Sequence, residues 1–274
     1  VWKSGKTRNY PIVWGVLKLG VKKYWWIVVI IIIGLCLWIF WPRPVISPAL
    51  VREQEVKIFK MAIMADVHND NEQLAKALRQ AQSELVIVAG DLTINGNKTE
   101  LDKVKKTLDG GEKEYLVVPG NHDVIKKQFN NVFGPGYQIY RKDNLKLILI
   151  DNSYWAGLGE VQKNWIIKEV EECKILTCLG IMHMPLEHNF SEHIMGEDNK
   201  QGTADAKWLH DILVENGVKN IFTGHLHYLT GYTIENLKTN IVGAISRKRN
   251  NQTSRMMEVE WDGKELKTKV VELE

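Results

Sequence analysis

LVIVAGD, residues 85 to 91, is a run of five apolar residues closed by a glycine and a carboxylate. Continuous rather than alternating hydrophobicity over so short a length marks a strand covered on both faces, as in a parallel sheet with helices packed on it. Upstream, VKIFKMAIMAD (56–66) reads as another strand, and NEQLAKALRQAQ (71–82) as an amphipathic helix with Leu74, Ala77, Leu78 and Ala81 on one face. Downstream, residues 98 to 108 form a second helix, and EYLVVPGNHD (114–123) supplies a third strand. Strands and helices alternating at this spacing predict right-handed crossovers and a mainly parallel inner sheet.

The later chain changes character. YQIYRKDNLKLILIDN (137–152) reads as two strands turning at Asp143-Asn144. A helix over 160–172, the strand ILTCLGIMH (175–183), an irregular stretch over 185–201, a helix over 203–215 and the strand KNIFTGHLH (219–227) follow. Strand-like runs at 228–235, 240–246, 254–261 and 265–272 complete the chain. Two packed sheets with helices outside accommodate this order.

The first 42 residues are different in kind. They hold six cations, Lys3, Lys6, Arg8, Lys18, Lys22 and Lys23, and no acid. YWWIVVIIIIGLCLWIFW, Tyr24 to Trp41, contains no charge; as a helix it would be about 27 Å long, near the thickness of a bilayer core. Trp25 and Trp26 at one end and Trp38 and Trp41 at the other suit the two interfaces, and Pro42 and Pro44 end the run. The expectation is an uncleaved single-pass anchor in the lipid bilayer. Residues 1–23 form a basic cytoplasmic segment, 24–41 a transmembrane helix, 42–55 a linker and 56–274 the folded domain. The positive-inside rule then puts that domain outside the cytoplasmic membrane. A signal peptide cut near Ser47-Pro48-Ala49, giving a secreted protein, is the rival; the length of the apolar run and the proline count against it. Val1 reads as an initiator from an alternative start codon or as the edge of a fragment.

The chain has 36 Lys and Arg against 33 Asp and Glu; without the six N-terminal cations the balance is 30 against 33, a net charge of −3. That argues against nucleic acid as a partner. Cys36 lies in the apolar run. Cys173 and Cys178, with a strand starting at 175 between them, are expected beyond the roughly 7 Å reach of a disulfide and hence as free thiols. Nothing in the sequence fixes an oligomeric state.

Each apolar strand from 58 onward ends in metal-ligating residue types: Asp66-Val-His68, Gly90-Asp91, Gly120-Asn121-His122-Asp123, His183, and Gly224-His225-Leu-His227. Ligands bind beyond the carboxyl ends of strands in open α/β sheets, so these five ends can converge on one crevice. Asp, Asn and His offer oxygen and nitrogen donors that suit Mn, Fe or Zn, and no thiolate is among them. Alternate residues of an extended segment point the same way, so Asp66 and His68 can bind one ion together, and His225 and His227 can, with a slight twist, serve two.

The ordered set DxH, GD, GNHD, H and GHxH resembles the calcineurin-like metallophosphoesterase family. The resemblance covers about 66–227 by motif and 56–272 by fold. It implies an αββα two-sheet sandwich, here preceded by the membrane helix, and a centre of two divalent or mixed-valence metal ions. Carried over, Asp66, His68 and His227 would bind one metal, Asn121, His183 and His225 the other, and Asp91 would bridge. His122 would face the phosphoryl or leaving group, with Asp123 orienting its ring, and a metal-bound hydroxide would attack. The implied activity is hydrolysis of phosphomonoesters or phosphodiesters. A nuclease of the same family, or a non-catalytic, metal-holding, membrane-tethered interaction module, are the alternatives. His188 and His193 read as residues of a loop rimming the crevice and His210 as a surface residue of its helix. SRKRNNQTSR (246–255) reads as a solvated hairpin end, with phosphate or anionic-lipid contact second. Substrate choice would rest on the loops 92–98, 152–160 and 185–201.

Overall fold

The structure, a computed structural model, describes residues 21–41, 58–250 and 252–273. The chain divides into two compact units, Val1–Gln54 and Glu55–Glu274.

In the first unit the apolar run forms helix α1 (Val21–Phe40), which takes in Lys22 and Lys23. Its side chains are described from Trp25 onward, and those to Trp41 are exposed apart from half-buried Val29. Among the described residues no helix is long and apolar enough to cross a membrane. The span expected over 24–41 is helical to Phe40, and the membrane crossing expected of it is not borne out among the described residues. The rest of the basic segment, to residue 20, and the linker, with the stretch weighed for cleavage in the rival reading, lie outside the described residues.

The second unit is built from the strand that opened the sequence reading. β1 (Phe59–Met64), β2 (Leu85–Ala89) and β3 (Glu114–Val118) are parallel neighbours, linked by α2 (Asn71–Gln80) and α3 (Lys98–Asp109). Asp70 and Asn97 cap these helices, their side chains accepting from Gln73 N and Glu100 N at 3.3 and 3.0 Å, which fixes where each helix starts. After the short α4 (Phe129–Phe133), β4 (Gln138–Lys142) and β5 (Leu145–Leu149) form a hairpin about Asp143-Asn144. α5 (Glu160–Val170), β6 (Thr177–Ile181), α6 (Lys200–Glu215) and β7 (Asn220–Thr223) follow, then β8 (Leu229–Ile234), β9 (Leu237–Val242), β10 (Arg255–Trp261) and β11 (Leu266–Glu272). One sheet has the order β11-β10-β1-β2-β3 and the other β4-β5-β6-β7-β9-β8.

Period-two burial decides the layers. Met61, Ile63, Leu85 and Ile87 meet Leu147, Leu179, Ile181 and Phe222 in one apolar cluster between the sheets. The alternate residues Ala62, Met64, Val86 and Val88 face α2 and α3, and Ile148, Cys178 and Ile221 face α5 and α6. Each fully buried branched side chain contributes on the order of 1.5–3 kcal/mol. The expected αββα sandwich is present.

Three expectations need correction. Cys173 and Cys178 form a disulfide with Cα atoms 5.4 Å apart. A 3-10 turn over Glu171–Lys174 folds the chain back, and β6 starts only at Thr177 rather than at 175. α6 begins at Lys200 rather than at 203, because the Asn199 side chain accepts from Gln201 N and Gly202 N, both at 3.0 Å. β9 starts at Leu237 rather than at 240, since left-handed Glu235 and Asn236 close a tight turn after β8.

Candidate active site

β1, β2 and β3 of one sheet and β6 and β7 of the other end together, and the motif residues occupy the turns just beyond them. The two sheets are laced there: the Asp66 carboxylate accepts from His225 N at 3.0 and 3.1 Å, and His183 Nδ1 donates to Ala89 O at 2.9 Å. Asp66 (φ 55°), His68 (46°), Asp91 (52°), His225 (71°) and His227 (54°) are left-handed. The paired ligands are thus not on extended backbone, as alternation along a strand would require. Left-handed non-glycine residues cost free energy and concentrate at functional sites. Two glycines are dictated by clearance: a Cβ at Gly90 (φ 83°) would lie 2.4 Å from the His183 ring, and one at Gly120 2.2 Å from Asp91 Oδ1.

Two donor groups result, Asp66, His68, Asp91 and His227, and Asp91, His183 and His225. In the first, His68 Nε2 lies 3.0 Å from His227 Nε2 and 3.6 Å from Asp91 Oδ2, with His227 Nε2 3.5 Å from Asp66 Oδ1. In the second, His183 Nε2 is 3.3 Å from His225 Nδ1 and 3.4 Å from the same Asp91 Oδ2. Asp91 is therefore shared, while its Oδ1 accepts from His122 N at 3.0 Å. Asn121 Oδ1 and His225 Nε2 are buried with no hydrogen-bond partner.

Electrostatics follow from the crowding. Burial disfavours the His183 cation, yet the adjacent Asp91 carboxylate outweighs it and raises His183 to about 9. Burial lowers His68 to about 4 against the pull of Asp66 and Asp91, and burial with the neighbouring His183 and His193 holds His225 well below its ordinary value. Burial would raise Asp91, but His183, then His68 and His122, hold it below the usual carboxylate range. Facing imidazole nitrogens, a shared carboxylate oxygen and an orphaned amide oxygen fit a pair of oxygen- and nitrogen-liganded ions.

Residues 59–229 match the Calcineurin-like phosphoesterase family. The chain belongs to that family. It is 27% identical over 119 residues, 37% of its own length and 42% of the relative's, to a probable glycerophosphodiester phosphodiesterase, GpdQ, from Arcobacter nitrofigilis. It is 24% identical over 165 residues, 53% of its length and 51% of the relative's, to the serine/threonine-protein phosphatase CPPED1 of Pongo abelii. The chain thus spans about half the length of these curated relatives. Among solved structures it is similar in fold to a dimetal phosphatase from Danio rerio, with TM-score 0.57 and 13% identity over 79% of this chain and 99% of that one.

Six of the seven residues expected as ligands in this calcineurin-like phosphoesterase meet in these two groups; the seventh, Asn121, is outside them, with its buried Oδ1 unpartnered. The expected partnership of His122 with Asp123 is corrected. His122 Nδ1 lies 2.6 Å from Ile94 O, to which it donates. Asp123 points the other way, into the core, accepting from Leu92 N, Thr93 N, Thr93 Oγ1 and Gly120 N at 2.8 to 3.0 Å. Burial and the charge of Asp91 push the Asp123 carboxyl up, and those donors pull it back. Its role is to hold the GD turn against the GNHD turn.

Asn152 and Trp155 escaped the sequence reading, whereas His188 and His193 lie in the loop expected to rim the crevice. Asn152 Oδ1 accepts from His183 N and Met184 N at 3.0 and 3.1 Å and so fixes that turn. His193 stacks on His225 with ring centroids 4.2 Å apart, Trp155 packs on the edge of the same ring, and Glu197 pairs with His193. His188 stands among Tyr228, Tyr232 and Phe190. Loop residues spaced far from their contacts carry no periodic signal. Arg249 reaches the site from the basic stretch 246–255, with Nη1 3.3 Å from His122 Nε2 and 3.4 Å from His68 Nδ1. His210, expected at the surface, is buried at 3% exposure, with Nε2 3.4 Å from Ile234 O, because α6 packs that face on the β8–β9 turn.

Proposed function

We propose that this protein is a dinuclear-metal phosphoesterase, tethered to the membrane through residues 24–41 with its domain on the outer side. The observation that carries the hydrolytic reading is that two ligand groups share Asp91 Oδ2 while His122 Nε2 stands beside them. Asp66, His68 and His227 would hold one ion, Asn121, His183 and His225 the other, and Asp91 both. Such ions supply Lewis acidity toward the phosphoryl oxygens and toward the attacking water. The chain's own residues do the rest. The Ile94 carbonyl accepts the Nδ1 proton of His122 and so fixes the ring's orientation; a proton carried on Nε2 would pass to the leaving oxygen. Asn152 and Asp123 keep the ligand turns from shifting.

The test uses the full chain in detergent with Mn²⁺. It should hydrolyse p-nitrophenyl phosphate or bis(p-nitrophenyl) phosphate, and Asp91→Asn should remove the activity; turnover unchanged by that substitution sinks the mechanism. Bound metal without turnover of any phosphoester would favour the interaction-module alternative.

The topological reading is supported by the uncharged run from Tyr24 to Trp41 with cations before it, and by the Cys173–Cys178 bridge, since such bonds persist in oxidising compartments. Protease added to intact cells should digest the domain; protection until the cells are lysed would refute the outward orientation.

A further inference from the structure

The stretch Ser246 to Asn250 lies between β9 and β10 and is a built turn rather than a solvated end. Its start is fixed to the Asp66 turn, Ile245 N and Ser246 N donating to Ala65 O and Asp66 O at 2.9 and 3.0 Å. The buried Ser246 hydroxyl accepts from Lys248 N and Arg249 N at 3.3 and 3.2 Å, and Asn250 Nδ2 closes the turn on Ala244 O at 3.1 Å. Arg247 is consumed in holding it: its backbone and guanidinium bind Asp70 at 2.7 to 3.0 Å, with Glu72 at 3.0 Å. Arg249 is left for another purpose. Among the described residues it forms no ion pair with a carboxylate, unlike Arg141, Arg247 and Arg255.

Its guanidinium lies beside two imidazoles, at 3.3 Å from His122 Nε2 and 3.4 Å from His68 Nδ1, and can donate to the first, whereas a His68 that ligates through Nε2 carries its proton on Nδ1 and cannot accept there. For His122 the tautomer agrees, since Nδ1 is engaged with the Ile94 carbonyl and Nε2 carries the lone pair. Neither ring neutralises the cation. The turn borders a cleft of about 410 Å³ that His68 and Ile94 also line.

We propose that Arg249 recognises the dianionic phosphoryl group of a phosphomonoester and sets a preference for monoesters over diesters. The inference rests on the phosphoesterase reading above and adds the substrate class. Two divalent ions against Asp66 and Asp91 leave two positive charges, and Arg249 makes three. A monoester dianion answers two of these and a diester monoanion only one. A monoester also offers one more unesterified oxygen than a diester, and a planar fork of donors beside His122 Nε2 is suited to take it. In donating to that oxygen the guanidinium would leave Nε2, which is then free to carry a proton.

The experiment compares the full chain with Arg249→Ala and Arg249→Lys, Mn²⁺-loaded in detergent. Loss of one charge-assisted contact is worth about ten- to a hundredfold. In Arg249→Ala, kcat/KM for p-nitrophenyl phosphate should fall by that factor and that for bis(p-nitrophenyl) phosphate by no more than about threefold; Arg249→Lys should recover part of the loss. Calorimetric affinity for inorganic phosphate should weaken at least about tenfold in Arg249→Ala at unchanged metal content. Equal losses on both esters, phosphate affinity unchanged, or metal lost together with affinity would each overturn the assignment. A wild-type chain that hydrolyses neither ester refutes the phosphoesterase reading and the preference with it; hydrolysis with phosphate affinity independent of Arg249 overturns the preference alone.

Discussion

Adjacent residues of the GNHD turn have separable tasks. Asn121 Oδ1 is buried without a partner, whereas His122 is held by Ile94 and packs edge-on against His68. Asn121→Ala should lower bound metal from two equivalents toward one. His122→Ala should keep both and lose about 10²–10⁴-fold in kcat, the ordinary contribution of a general acid. Metal analysis beside single-turnover kinetics separates the two; parallel metal loss in both would merge the roles. His183 gives a second, pH-dependent expectation. Without metal its pKa is raised to about 9 by Asp91 against the cost of burial, so at pH 7 the ring is protonated, and that proton must leave before Nε2 can bind an ion. Affinity for the second metal should therefore fall about tenfold per pH unit below 9 and level off above it. His68 and His225, both lowered, are already neutral at pH 7 and add nothing there. The same shift makes the metal-free fold more stable below the ordinary histidine pKa, a gain lost as pH rises through 9. Titrations in buffers of different ionisation enthalpy count the released proton, and none at pH 7 would contradict the assignment.

At the scale of elements, the strands and helices were legible because period-two burial and caps are local. β2 needs only its own apolar run, and α2 only Asp70 and one apolar face. Lys146 is the exception inside β5: it lies fully buried between apolar neighbours, where alternation offers no reason for a cation. Its Nζ donates to Glu169 O and Oε2 and to Glu172 Oε2, each at 2.7 Å, joining β5 to the end of α5 and the 3-10 turn. Removing the cation alone strands the Glu169 carboxylate and carbonyl. Lys146→Ala should cost about 3–5 kcal/mol, while Lys146→Met with Glu169→Gln should restore much of it. Urea denaturation of the two variants decides this, and equal destabilisation would show that packing, rather than charge, governs the site. The same 3-10 turn brings Cys173 to Cys178, which a strand beginning at 175 would have kept apart.

For the domain as a whole, the donor groups straddle its two sheets: Asp66, His68 and Asp91 follow strands of one, His183, His225 and His227 strands of the other. Ions bound there would cross-link the layers at one end, so chelation should destabilise the domain. Metal at about a hundredfold over its Kd is worth about 2.7 kcal/mol, or roughly 5–10 °C in Tm for a domain of this size. A thermal melt with and without EDTA measures it, and an unchanged Tm would mean that the sheets close without help.

What the sequence determined by itself was the alternation of elements, the two-layer class and the positions of the seven candidate ligands, since each sits where a readable strand stops. Tertiary structure decided what depends on distant segments meeting. It placed Asp123 on the Leu92-Thr93 backbone instead of on His122, buried His210, bridged the cysteines, and turned Arg249 from a loop cation into a neighbour of His122 and His68. Strand pattern is written in neighbouring residues, whereas the direction of a loop side chain is set by contacts such as that of Arg249 with His68, 181 residues away in the chain.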